Sequence, residues 1–164
     1  MRQSRKIVSH VMQFAAAPGE VFPLLCPVRE YEWIEGWQCE MIHSASGVAE
    51  AGAVFRTSFA QDGPPDTWVI SRYEPPRAIE FVRVNAWRAV HYAIHLEGEA
   101  AGHSRWRWTQ TLTGLGSEGD ALVAAVDAAA FAQKIAALET RLAHFLATGT
   151  MLRDNPPSPA ANQR

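Results

Sequence analysis

Apolar and polar residues change rhythm twice along this chain. From Ile7 to Phe14 they alternate loosely, as in a half-buried strand. The next stretch shifts to helical spacing. Pro18 suits a first helical turn, where its missing N–H costs nothing, and Glu20 suits the positive end of the dipole. Val21, Phe22, Leu24 and Leu25 give this short helix an apolar face, and Pro27 ends it. A second short helix is predicted over Val28–Glu35, closed by Gly36. Six strand signals follow: Trp37–Ser44, Ala53–Phe59, Thr67–Tyr73, Ala78–Val84, Ala89–Leu96 and Ser104–Thr113. Glycine- and proline-bearing turns separate them, which predicts an antiparallel meander. In Ala78–Val84 two inward faces compete, Ile79, Phe81 and Arg83 against Glu80, Val82 and Val84.

The second change of rhythm comes near Asp120. From there to Thr148 no Pro or Gly occurs, and alanine, the best helix former, is abundant. Phe131, Ile135, Leu138, Leu142 and Phe145 share one helical face, with Asp127, Lys134 and Arg141 on the other. This predicts one helix of roughly 43 Å at ~1.5 Å per residue, ended by Gly149. Strands and helices do not alternate, which excludes a parallel βαβ sheet. The expected fold is α+β: a curved antiparallel sheet of about seven strands wrapped round a long C-terminal helix, a helix-grip. Residues 1–150 are expected to form one domain and 151–164 a disordered, proline-rich tail. A sheet that curves away from its helix leaves a cavity, with a ligand site at its mouth.

Composition narrows the partners. The 164 residues are 48% hydrophobic, enough for a real core without disulfide or metal staples. A formal charge of -2, with Lys and Arg scattered, argues against a nucleic-acid partner. No apolar run approaches the ~20 residues of a membrane span. The polar, basic start and the alternating Ile7–Phe14 stretch predict no secretion signal. Cys26 and Cys39 form no ligand cluster and read as small buried hydrophobes, consistent with a cytoplasmic protein.

The stretch Val28-Arg29-Glu30-Tyr31-Glu32-Trp33-Ile34-Glu35-Gly36-Trp37, preceded by Val21-Phe22-Pro23-Leu24-Leu25-Cys26-Pro27, carries a resemblance. Val54-Phe55-Arg56-Thr57 and Trp68-Val69-Ile70 add to it. The chain resembles the START-like (SRPBCC) superfamily, which includes Bet v 1-type proteins, and within it a bacterial polyketide cyclase/dehydrase-like subgroup. The likeness runs from Ile7 to Thr148. It implies the helix-grip fold and a ligand cavity, and it carries over no catalytic set.

Six tryptophans stand out. Trp106, Trp108 and Gln110 share a strand face opposite Arg105, Arg107 and Thr109, so they are expected to point at the helix. Trp33 and Trp37 flank the turn into the first meander strand. With Phe55, Thr57, Trp68, Tyr92, Phe131 and Ile135, these residues form the expected ligand-binding wall. Plain core filling accounts for the same rings equally well. Glu32, His43 and Gln110 are weak candidates for acid, base or orienting groups. Structural ion pairing is the competing reading for Glu32, and a satisfied core histidine for His43. His91 and His95 are expected on the outer face, and two His four apart in a strand are ~13 Å apart, too far to share a metal. No metal pattern and no cofactor fingerprint occurs. Three functions suit this picture: binding a small hydrophobic or aromatic molecule, transforming one as a cyclase or dehydratase, or serving as an Hsp90-co-chaperone-like interaction domain. Oligomeric state is not encoded in any of these patterns.

Overall fold

The computed structural model describes residues 4–154. It contains the seven strands and their order in the chain. β1 spans Arg5–Phe14, β2 Glu40–His43, β3 Val54–Thr57, β4 Asp66–Glu74, β5 Ala78–Val84, β6 Arg88–Ala100 and β7 His103–Gly114. They form one antiparallel sheet in the order β1-β7-β6-β5-β4-β3-β2. The last six therefore make a meander, and β1 closes it from the far side by pairing with β7, Arg5 opposite Thr113 and Phe14 opposite Ser104. Register shifts between Met41 and His43, Ile70 and Arg72, and Leu96 and Gly98 mark bulges. Bulges bend strands and tighten their twist, so they curve this sheet toward its helix.

Between β1 and β2 the chain forms α1 (Pro18–Val21), a single 3₁₀ turn over Phe22–Leu25, and another over Glu30–Glu32. The second predicted helix is thus one turn within a loop. Its Trp33 side chain is buried and donates to the Leu24 carbonyl at 2.8 Å, pinning that loop to the core.

The expected long helix is two helices, α2 (Ser117–Ala124) and α3 (Ala128–Thr148), bent by 76°. The break lies in an alanine-rich stretch and has a polar cause. Asp127 takes an extended backbone, and its carboxylate accepts from the N–H groups of Ala129 and Ala130 at 3.3 and 3.2 Å. That is an N-cap, and it competes with helix continuation. From β1, Lys6 Nζ donates to the carbonyls of Ala124, at 3.2 Å, and Val126. It thereby serves the acceptors that the ending α2 leaves free. Asp127, expected on the outer helix face, is instead this cap.

α3 buries Phe131, Ile135 and Leu142 against the sheet, and Gly149 ends it in a left-handed conformation, donating to Phe145 O at 2.7 Å. α2 packs so closely on the β5–β6 turn that a Cβ at Gly119 would collide with the Trp87 carbonyl oxygen. Of the expected tail, residues 151–154 lie along α3. Arg141 donates to Leu152 O and pairs with Asp154, both at 2.8 Å, and Asp154 N–H donates to Glu35 at 2.9 Å. Residues 155–164 lie outside the described residues.

Candidate ligand-binding site

Strand pairing builds the site row by row. Leu112, Val90, Arg83, Trp68, Phe55 and Met41 lie opposite one another across β7, β6, β5, β4, β3 and β2. Gln110, Tyr92, Phe81 and Ile70 form the next row. Side chains in a strand alternate between faces, so these rows point to one side, toward α3. Burial settles the open parity of β5: Ile79 and Phe81 are core, Arg83 shares their face, and Val84 is exposed.

Between these rows and α3 lies a cavity of about 260 Å³. Its floor is aromatic. Phe55 stacks on Trp68, and Phe81, Tyr92 and Trp108 continue the cluster edge to face or tilted, with centroid separations from 5.2 to 6.2 Å. Ile135 and Leu138 roof it from α3, and Ile34 and Trp37 close its side. Trp37 itself is held by a bond to Pro27 O at 2.9 Å and by packing on Phe59.

Polar groups interrupt this wall at defined places. The indole N–H of Trp108, 3% exposed, has no hydrogen-bond partner among the described residues. Such a buried orphan donor costs about 1–3 kcal/mol unless something accepts from it. Gln110 lies beside the Tyr92 hydroxyl. Burial, reinforced by the charge of Glu30, raises the Tyr92 pKa above its ordinary value, and the phenol stays protonated. Glu30 lines the same cavity, and burial pushes its carboxyl up to about 8, with no cation offsetting the push. At neutral pH it is a protonated donor rather than a carboxylate.

The opposite character prevails where β4, β5 and the loop after β3 meet. Asp66, fully buried, binds Arg88 through two bonds of 3.0 and 3.2 Å. Arg83 stands 3.4 Å from Asp62 and 3.7 Å from Asp66, its guanidinium 4.8 Å over the Trp68 ring. Its Nε makes no hydrogen bond among the described residues. Burial lowers the Arg83 pKa, and neighbouring Arg88 adds to that, while Asp62 and Asp66 pull it back. Lys134 of α3 lines the cavity at this end. The residue as a whole is exposed, yet burial of its ammonium lowers its pKa, with Arg83 and Arg88 adding to the fall and Asp62 opposing it, and it forms no ion pair among the described residues.

Trp37, Phe55, Trp68, Tyr92, Trp108, Gln110 and Ile135 thus line the cavity. Four other expected wall residues do not. Trp33 and Trp106 are core, with N–H bonds to Leu24 O and Ser104 Oγ. Thr57 accepts from Trp68 Nε1 at 2.8 Å, which fixes that ring. Phe131 packs in the core at the foot of α3. Glu32 is exposed and paired with Arg29, because the one-turn 3₁₀ segment turns Glu30 inward in its place. His43 is exposed because the bulge between Met41 and His43 rotates it off the inner face. His91 and His95 do lie outside, both bonded to Glu80, at 2.8 and 2.9 Å. Glu30, Arg83 and Lys134 were missed. The spacing puts Lys134 on the outer helix face, but it lies between Phe131 and Ile135 in the chain, near enough to the buried stripe for its side chain to line the cavity. No group of three or more His, Cys, Asp or Glu side chains is placed to hold a metal among the described residues.

No protein-family model matches the sequence, and no curated protein matches it. Solved structures do match in shape. One is DynU16, a protein of the dynemicin biosynthetic locus, at 20% identity and TM-score 0.58, covering 88% of this chain. The chain spans 48% of the DynU16 chain. Norcoclaurine synthase from Thalictrum flavum, in complex with dopamine and hydroxybenzaldehyde, matches at 10% identity and TM-score 0.61 over 88% of both chains. Aha1 from Colwellia psychrerythraea, solved as a dimer, matches at 14% identity and TM-score 0.60 over 88% of this chain and 98% of that one. The architecture is that of the START-like, Bet v 1-like helix-grip proteins. At these identities the likeness defines the fold alone.

Proposed function

We propose that this chain binds a small, largely apolar, ring-bearing molecule in the cavity between the sheet and α3. The observation that carries the reading is a closed aromatic floor containing a buried, unpartnered Trp108 N–H. An enclosed space floored by stacked and edge-to-face rings suits the flat face of an apolar ring-bearing ligand. At interior packing density, near 0.74, the space suits a molecule on the order of ten to fifteen non-hydrogen atoms. The small aromatic molecules in the norcoclaurine synthase complex support the same size and class. Native mass spectrometry of freshly purified protein, then denaturing extraction, tests this. A stoichiometric adduct of aromatic character is expected. A clean apo mass, together with no quenching of tryptophan fluorescence by any aromatic probe at millimolar concentration, would count against it.

Glu30 favours a second reading, a cyclase- or dehydratase-type enzyme. A protonated carboxyl facing Tyr92 in an apolar cavity is equipped for acid–base work near neutral pH. Glu30→Gln separates the readings: lost turnover with retained binding favours the enzyme, and unchanged turnover of an identified substrate removes Glu30 from that role.

A further inference from the structure

The polar groups of the cavity are unevenly distributed, and their charges do not balance. At the end formed by β4, β5 and the loop after β3, three cations meet two carboxylates: Arg83, Arg88 and Lys134 against Asp62 and Asp66. Both carboxylates are already engaged. Asp66 binds Arg88 through two bonds, and Asp62 stands 3.4 Å from each of the two arginines. Lys134 is the charge left over. The Arg83 guanidinium lines the cavity and makes one hydrogen bond among the described residues, to Asp62 at 3.4 Å, while its buried Nε lies 3.7 Å from Asp66. The two other cavity carboxyls lie elsewhere. Glu30 has no cation offsetting its burial, and Glu35 faces Arg141 at 3.8 Å.

We propose that the natural ligand is a monoanionic organic acid with a planar apolar body. Its carboxylate seats between the Arg83 guanidinium and Lys134 Nζ, and its rings lie on Trp68 and Tyr92 toward Trp108. The proposal rests on the cavity being the ligand site, as argued above. The chemistry follows from three facts. A single negative charge neutralises the mouth cluster. A carboxylate oxygen accepts from the Arg83 guanidinium, whose one hydrogen bond among the described residues goes to Asp62. The guanidinium already lies over the Trp68 ring, so a carboxylate bound to it continues directly into the aromatic floor. A phenol or alcohol would leave the excess charge uncompensated, and a dianion would meet Asp62.

The test uses two probes of nearly equal shape, 2-naphthoate and 2-naphthalenemethanol, titrated calorimetrically into the full chain and its Lys134→Gln and Lys134→Arg variants. We expect naphthoate to bind about tenfold more tightly than the alcohol, because a charge-assisted bond exceeds a neutral one. Lys134→Gln should cost about fivefold for naphthoate and nothing for the alcohol, and Lys134→Arg should restore most of the loss. Lys134 as a whole residue is exposed, so the thermal midpoint of both variants should match the wild type. Equal affinities for the two probes, or a Lys134→Gln variant that binds naphthoate normally, overturns the head-group assignment and leaves the cavity reading standing. Binding of neither probe at millimolar concentration overturns both.

Discussion

Glu30 makes the stability of this protein fall as pH rises through neutrality, and substitution by glutamine should abolish that fall. In the folded chain its carboxyl titrates at about 8 instead of 4.5. Below pH 4.5 the folded and unfolded states both carry the proton, so the group contributes nothing. Between 4.5 and about 8 the unfolded chain has released its proton while the folded chain retains it, so stability declines by up to about 1.36 kcal/mol per pH unit. Above about 8 both states are ionised and the loss is complete. Full burial would set the total on the order of 5 kcal/mol, and water drawn into the cavity around the carboxylate reduces it to ~2–4. Glutamine keeps the shape and the donor but cannot ionise. Urea unfolding at pH 5, 7 and 9 should therefore find Glu30→Gln close to wild type at pH 5 and more stable by a few kcal/mol at pH 9. Wild-type and variant curves that run parallel from pH 5 to 9 would refute the burial of this carboxyl.

Three further substitutions test the frame around the cavity. Arg88→Met should destabilise by about 3–5 kcal/mol in urea, because it strips the fully buried Asp66 of both its short bonds. Gly119→Ala should cost about 1–3 kcal/mol or more in thermal unfolding, since its methyl group would overlap the Trp87 carbonyl. Asp127→Ala removes the α3 cap and should cost about 1 kcal/mol, read as a lowered urea midpoint with an unchanged slope.

The ladder of strands was legible because apolar alternation and turn residues agree along it. Ala78–Val84 is bounded in the sequence where it is bounded in the fold. The apolar spacing of Phe131, Ile135 and Leu142 likewise identified the buried face of α3. What was hidden depends on contacts between distant residues. The break at Asp127 needs Lys6, some 120 residues away, to serve the free carbonyls. The inward turn of Arg83 is tolerable only because Asp62 and Asp66 stand against it, and nothing in a period-two pattern announces such partners. Glu30 and Glu32 lie two positions apart in one short segment, and helical spacing favours Glu32. A single 3₁₀ turn obeys a different angular step, and it put Glu30 in the cavity.

Pairing β1 with β7 gives this protein a seam between its two ends. Ser4 N–H donates to Asp120 across a separation of 116 residues, and Lys6 donates to the carbonyls of Ala124 and Val126 at the α2–α3 bend. The meander from β2 to β7 closes through short loops, but the seam needs nearly the whole chain. Closing so long a loop is entropically slow, so β1 and α3 should gain protection last in pulse-labelled hydrogen exchange. On a ribosome, the aromatic floor is made well before its roof. Until α3 emerges, Trp68, Tyr92 and Trp108 face water. The cavity is therefore absent until α3 is made, and a ligand of the proposed kind should act as a late clasp, holding α3 against the finished sheet.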